Sequence, residues 1–168
     1  MTEATHRGDA VVVLGVTPRT PVEVIRTAVT FARPLAAEIV CGSVDESDYA
    51  MEATTDPVIL NRQPINSDLN HPAAPFDAAL HATLSREFDE AGVRWKARAL
   101  AGEAAHRLHL LAEELDAMAI IVGAPASHGE SLHERFVGSV ATRLAHRQHR
   151  PVIVVPLPGT LTYPSTVA

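Results

Sequence analysis

Val11-Val12-Val13-Leu14 is an unbroken apolar run rich in β-branched residues, and it leads through Gly15-Val16-Thr17-Pro18-Arg19 into Thr20-Pro21-Val22-Glu23. Apolar residues at every successive position do not suit a strand with one wet face. The run predicts a strand covered on both faces, of the kind found in parallel sheets between helix layers. Thr20 followed three positions later by Glu23 has the spacing of a capping box, with Pro21 at the first helical position. The helix this opens carries Val22, Ile25, Val29 and Ala32 on one stripe, and Pro34 stops it near Arg33.

The same reading extends outward from this unit. Glu38 to Val44 predicts a second strand. From residue 46 to residue 75 the periodicity fails: Pro57, Pro64, Pro72 and Pro75 stand among Asp, Asn, Ser and Thr, which predicts an irregular insertion. Phe76, Leu80, Leu84 and Phe88 recur every four residues and Gly92 follows as a stop, which predicts a second helix. Val93 to Leu100 alternates apolar and charged residues, the pattern of a strand near a sheet edge. Ala105, Leu108, Leu111, Ala112 and Leu115 mark a third helix, Met118 to Val122 a fully apolar fourth strand, Gly138 to His146 a fourth helix, and Val152 to Val155 a fifth strand. The order β-α-β-α-β-α-β-α-β predicts an α/β fold: an open, five-stranded parallel sheet with helices on both faces, in one domain over residues 1–168. Residues 1–9 and 159–168 read as polar or irregular tails.

Composition narrows the function classes. The 168 residues carry a formal net charge of −6, and no cluster of Lys and Arg marks a nucleic-acid partner. No apolar run approaches the roughly 18 residues that span a bilayer, and Met1 to Asp9 lacks the apolar core of a signal peptide. With a single cysteine, Cys41, the chain forms no disulfide within itself. The expectation is a soluble cytoplasmic protein with neither a nucleic-acid nor a membrane partner.

In an open parallel sheet, ligands lie beyond the carboxyl ends of the strands. Two loops fall there. Gly15 to Thr20 follows the first strand. Gly123 to Ser131 follows the fourth, and Gly138-Ser139 then opens a helix. Glycines allow the backbone to approach a phosphate, and a helix start offers unpaired N–H groups. Ser139 could cap that helix and also donate its hydroxyl to a phosphate oxygen; the alternative is a surface loop with an ordinary cap. G-x-G-x-x-G, the P-loop pattern and Gly-x-Ser-x-Gly are all absent, so no enzymatic machinery is expected. His106 with His109 and His146 with His149 have a spacing that can support a metal, but no ligand set completes either pair, and solvated helix faces account for them. Cys41 reads as a small core residue. Asp45 and Glu46 could form a carboxylate pair on the ligand side or be solvated loop charges.

Gly138-Ser139-Val140-Ala141, Leu144-Ala145-His146 and Arg150-Pro151-Val152-Ile153-Val154-Val155-Pro156 together resemble the C-terminal signature of the universal stress protein family. Gly102-Glu103-Ala104-Ala105 is similar to that family's Gly-Asp-Pro-Ala helix start, and Asp116 to Gly123 to its fourth strand. The resemblance implies a Rossmann-like regulatory module of the stress response, a homodimer paired through Val152–Val155, with ATP or AMP as ligand. It implies that the nucleotide lies against Val13, Gly15, Val44, Gly123, Ala126, Gly129, Gly138, Ser139 and Val140. Two departures stand out. Nucleotide-binding members carry G-x-x-G, nine residues, then G-[ST]; here Ala126 stands where the second glycine belongs, and counting from Gly129 does not restore the spacing. The family also tends to place an aspartate at the end of the first strand, matched here with Gly15. Weak adenine-nucleotide binding follows, or a dimeric interaction domain that has lost the nucleotide.

Overall fold

The computed structural model describes residues 10–46, 73–124 and 140–156. Residues 47–72 of the predicted irregular segment and both tails lie outside the described residues. The elements are β1 (Val11–Val16), α1 (Val22–Ala32), a 3-10 turn over Arg33–Leu35, β2 (Glu38–Asp45), α2 (Ala78–Ala91), β3 (Trp95–Ala101), α3 (Ala104–Glu114), β4 (Ala119–Gly123), α4 (Val140–Arg147) and β5 (Val152–Val155). All five strands are parallel, in the order β3-β2-β1-β4-β5. β1 therefore takes the centre, as its apolar run requires, and Val12, Val13 and Leu14 are wholly buried. β4 lies beside it, also inside the sheet. The strand begins at Ala119: Met118 gives its N–H to Val11 O at 2.8 Å, but its side chain is 40% exposed.

Side-chain alternation sorts the interior into two layers. Val12, Leu14, Val16, Ile39, Cys41 and Ile121 face α1 and α2, meeting Val24, Ile25, Ala28, Leu84 and Phe88. Val13, Val40, Ile120 and Val122 face α3 and α4, meeting Leu108, Leu111, Ala112, Ala141 and Leu144. Burying each such aliphatic side chain stabilises the fold by about 1.5–3 kcal/mol, and the two layers hold the sheet from both sides. On α1 the buried stripe is Val24, Ile25, Ala28 and Ala32, rotated from the expected one so that Val22 and Val29 are only half-buried.

The capping of α1 also differs from expectation. Thr20 does not cap the helix. Its Oγ1 instead accepts the N–H of Thr17 at 2.7 Å, while Thr20 N–H donates to Thr17 O at 2.9 Å. Pro21 becomes the N-cap, with no side-chain acceptor, and the helix begins one residue later. α2 follows the rules more closely. Asp77 accepts the N–H of Leu80 at 2.7 Å at its start, and Gly92 ends it at φ +66°, a left-handed backbone that glycine adopts without strain.

β3 forms one edge of the sheet. Its outward charges are paired: Lys96 lies 3.1 Å from Glu38, and Arg98 bonds to Glu114 of α3. At the amino ends of the strands Arg150 ties the start of β5 to the turn before β4, donating through Nε to Ala117 O at 2.6 Å and bonding Glu113 and Asp116. No described helix is long and apolar enough to cross a membrane.

Candidate functional site: the crevice between β1 and β4

The strand order fixes where a ligand can enter. From β1 the chain moves outward through β2 to β3, then returns to the other side of β1 for β4 and β5. The crossovers leaving β1 and β4 thus part in opposite directions, and a crevice opens beyond their carboxyl ends. Three described segments border it: the turn Thr17–Thr20, Gly123 with Ala124, and the start of α4 at Val140.

The turn after β1 is held closed by its own threonines. Besides the reciprocal Thr17–Thr20 bonds, Arg19 N–H donates to Thr17 Oγ1 at 3.3 Å. Thr17, Pro18 and Arg19 on this turn are exposed. Pro21 brings no side-chain acceptor to the start of α1, and Val24 N–H turns back to Pro21 O at 3.1 Å. Across the crevice, a Cβ on Gly123 would stand 3.2 Å from Val24 Cγ2, so the end of β4 lies close against the first turn of α1. Ala124 gives its N–H to Val155 O at 2.7 Å, which commits that donor to the sheet.

The sequence-derived site residues distribute unevenly. Val13 is wholly buried in the middle of β1, paired with Val40 and Ile120, and reaches no crevice. Gly15 lies inside the strand, not at its end. β1 continues to Val16, and the first polar group beyond it is Thr17. Gly15 pairs in register with Gly42, and a Cβ on either residue would come 2.9 Å from a δ-methyl of Leu108. That face looks into the α3 layer, so a side chain at 15 would not point at a ligand. Val44 is half-buried near the end of β2, opposite Leu100. Gly123 and Val140 border the crevice. Ala126, Gly129, Gly138 and Ser139 lie outside the described residues.

Sequence reasoning missed how the start of α3 is closed. Glu46 is exposed, as a solvated loop charge would be, and its Oε1 also accepts the N–H of Ala104 at 3.0 Å. Glu103 accepts from Ala105 at 3.1 Å and from His106 at 2.9 Å. Three donors of the first turn are thereby satisfied by the chain's own carboxylates, and this helix start has little to offer an anion. The Glu103 cap could have been seen in Gly102-Glu103-Ala104-Ala105. The Glu46 contact could not, because it joins positions far apart in sequence. Glu103 also faces two arginines of α4, with Arg143 Nε at 3.3 Å and Arg147 Nη1 at 3.6 Å.

Cys41 is buried, and desolvation pushes its thiol far above its ordinary range, so it is no nucleophile. Among the described residues no three His, Cys, Asp or Glu side chains are grouped to hold a metal.

The comparisons with known proteins agree with this geometry. Several solved structures share the fold over most of both chains. A universal stress protein from Archaeoglobus fulgidus in complex with dAMP matches with a TM-score of 0.54 at 17% identity, covering 87% of this chain and 97% of its own. A universal stress protein family protein from Arabidopsis thaliana with AMP bound matches at 0.54 and 13% identity, covering 93% and 97%. A universal stress protein in complex with cAMP matches at 0.56 and 19% identity, covering 88% and 97%. No curated protein matches the sequence significantly. The profile of the universal stress protein family matches residues 3–156. By that match over nearly its whole length, and by the parallel sheet beneath it, this chain belongs to the universal stress protein family.

Proposed function

We propose that the chain is a regulatory module of the stress response, cytoplasmic and not an enzyme, that binds an adenine nucleotide weakly in the crevice between β1 and β4. The observation that carries this reading is the crevice at the switch point, in a fold whose relatives were solved with AMP, dAMP and cAMP. The phosphates would meet the glycine-containing stretch from Gly123 to Gly138-Ser139 and the start of α4. The adenine end would meet the backbone of Val44 and the turn at Thr17. Alanine at 126 replaces a glycine through which nucleotide-binding members approach the phosphate, and neither Gly15 nor Thr17 brings the carboxylate such members carry at the end of the first strand. A lost hydrogen bond to a charged group costs on the order of 1.5–3 kcal/mol, roughly ten- to a hundredfold in affinity. Titration calorimetry with AMP and with ATP tests this, together with mass analysis of small molecules released on denaturation. Saturable binding of either nucleotide is expected. No heat with either, and no released nucleotide, leaves the second reading: an interaction domain that works through its surface. The committed Ala124 N–H and the covered face of Gly15 favour that second reading.

Both readings include a homodimer through β5. This strand is a sheet edge, and Val152, Ile153 and Val154 are only half-buried in the single chain. Ile120 N–H bonds Pro151 O and Ala124 N–H bonds Val155 O, so the odd-numbered residues pair inward with β4. Val152 and Val154 therefore direct their N–H and C=O groups outward, where a second copy related by a two-fold axis would pair with them. Val154→Pro removes an outward donor and leaves the ladder to β4 intact. It is expected to convert a dimer to monomer in sedimentation velocity without loss of helical circular dichroism. A wild-type protein that sediments as monomer at high micromolar concentration would rule the dimer out.

A further inference from the structure

We propose that Glu103 is a positioning residue for the crevice, fixing α4 and therefore its start at Val140. The proposal rests on the nucleotide reading above. The Glu103 side chain is 10% exposed, a carboxylate nine-tenths removed from water. Its two oxygens perform two tasks at once. Both accept backbone N–H groups at the start of α3, and each also faces an arginine of α4: Oε1 faces Arg143 at 3.3 Å and Oε2 faces Arg147 at 3.6 Å. Arg143 and Arg147 are one helical turn apart, so they grip the carboxylate from one face of α4. The Arg143 contact lacks hydrogen-bond alignment, and Arg143 Nε has no other partner, so its electrostatic tie is to Glu103.

This link controls more than the α3–α4 packing. α4 is described from Val140 to Arg147; Ala141 and Leu144 on it are buried, and Val140 packs against the same layer. Non-directional apolar packing alone leaves a helix some freedom to rotate about its axis or slide along it. Ionic contacts at Arg143 and Arg147 remove that freedom, because both arginines must reach a carboxylate that α3's own backbone holds in place. The opening turn of α4 borders the crevice, so the orientation of the helix sets the shape of the crevice on that side. A helix cap on α3 thereby sets the geometry of a different helix at the ligand.

Two substitutions separate the cap from the grip. Glu103→Ser keeps a good N-cap residue but cannot span to the arginines. Arg143→Met combined with Arg147→Met keeps Glu103 as the cap and removes its partners. In the full-length protein, both variants are expected to raise amide hydrogen exchange across residues 141–147 about fivefold while α3 stays protected. Both are expected to weaken AMP binding by a similar factor. Unchanged exchange in α4 in either variant overturns the proposal, and so does raised exchange with wild-type AMP affinity. A wild-type protein that binds no AMP removes the nucleotide reading on its own; the exchange pattern then still decides whether Glu103 holds α4.

Discussion

At the scale of single residues, Gly15 and Thr17 differ more than their sequence positions imply. A Cβ at Gly15 meets Leu108 at 2.9 Å and Val122 at 3.1 Å, so Gly15→Asp forces a carboxylate into the apolar α3 layer. Overpacking alone costs about 1–3 kcal/mol, and burying a charge adds to it. The expected result is a lower melting temperature with no gain in AMP affinity, read by calorimetry and thermal melts on the same sample. Gly15→Ala combined with Leu108→Ala should cost less than the sum of the two single losses. Thr17→Asp is the informative counterpart. It lies beyond the strand, keeps an acceptor for Arg19 N–H, and places a carboxylate at the crevice. It is expected to fold normally and to tighten AMP binding. Glu87 carries a different test. It is buried on α2, 2.8 Å from Arg26 and 3.5 Å from Arg86, and the hydrogen bond from Arg26 holds its carboxyl below the ordinary value of 4.5. Its contribution to stability is therefore present above that ordinary value and is lost as pH falls below it. Glu87→Gln should flatten the fall in melting temperature below about pH 4.5. None of this was legible in the sequence: the strand's true end, the residue beneath a glycine and an ion pair across two helices are set by packing.

At the scale of elements, most of the chain was legible, and the misses share a cause. Strands and helices were found because buried apolar residues recur at period two or 3.6, a signal that survives without any tertiary knowledge. α2 was marked by its periodicity and by Gly92, and β5 by four apolar residues. Caps were less legible. Thr20 and Glu23 have capping-box spacing, yet Thr17 competes for Thr20's hydroxyl and wins, since closing a tight turn satisfies the same oxygen locally. Asp77 behaves as an N-cap should, and Asp77→Ala is expected to lower stability by about 1 kcal/mol, or the melting temperature by about 2–4 °C. Arg150 makes a larger claim. Its side chain is 18% exposed and it bridges the starts of β4 and β5. Arg150→Met leaves Ala117 O without its donor, and a loss of about 1.5–3 kcal/mol is expected in chemical denaturation, with an unchanged m-value.

At the scale of the whole molecule, the crevice was legible as a place in the sequence, because the order of alternating strands and helices creates it. What fills it is tested by linkage. If AMP binds the folded chain only, a concentration a hundred times its dissociation constant stabilises by about 2.7 kcal/mol, which raises the melting temperature by roughly 5–10 °C. A melting temperature unmoved by AMP and by ATP would assign the chain to the surface-interaction reading. The position of β1 also has a consequence in time. β1 pairs with β2 after a single intervening helix, but with β4 only after at least the three described helices and two described strands that precede it. Closing so long a loop is entropically slow, so β4 docks late in folding, after β1, β2 and β3 have the means to associate. A chain emerging from the ribosome can hold half of its sheet together, with the β4-facing side of β1 open and apolar, while the crevice does not yet exist. The crevice is thus among the last features to form, and if a nucleotide binds there it can stabilise only molecules that have finished folding.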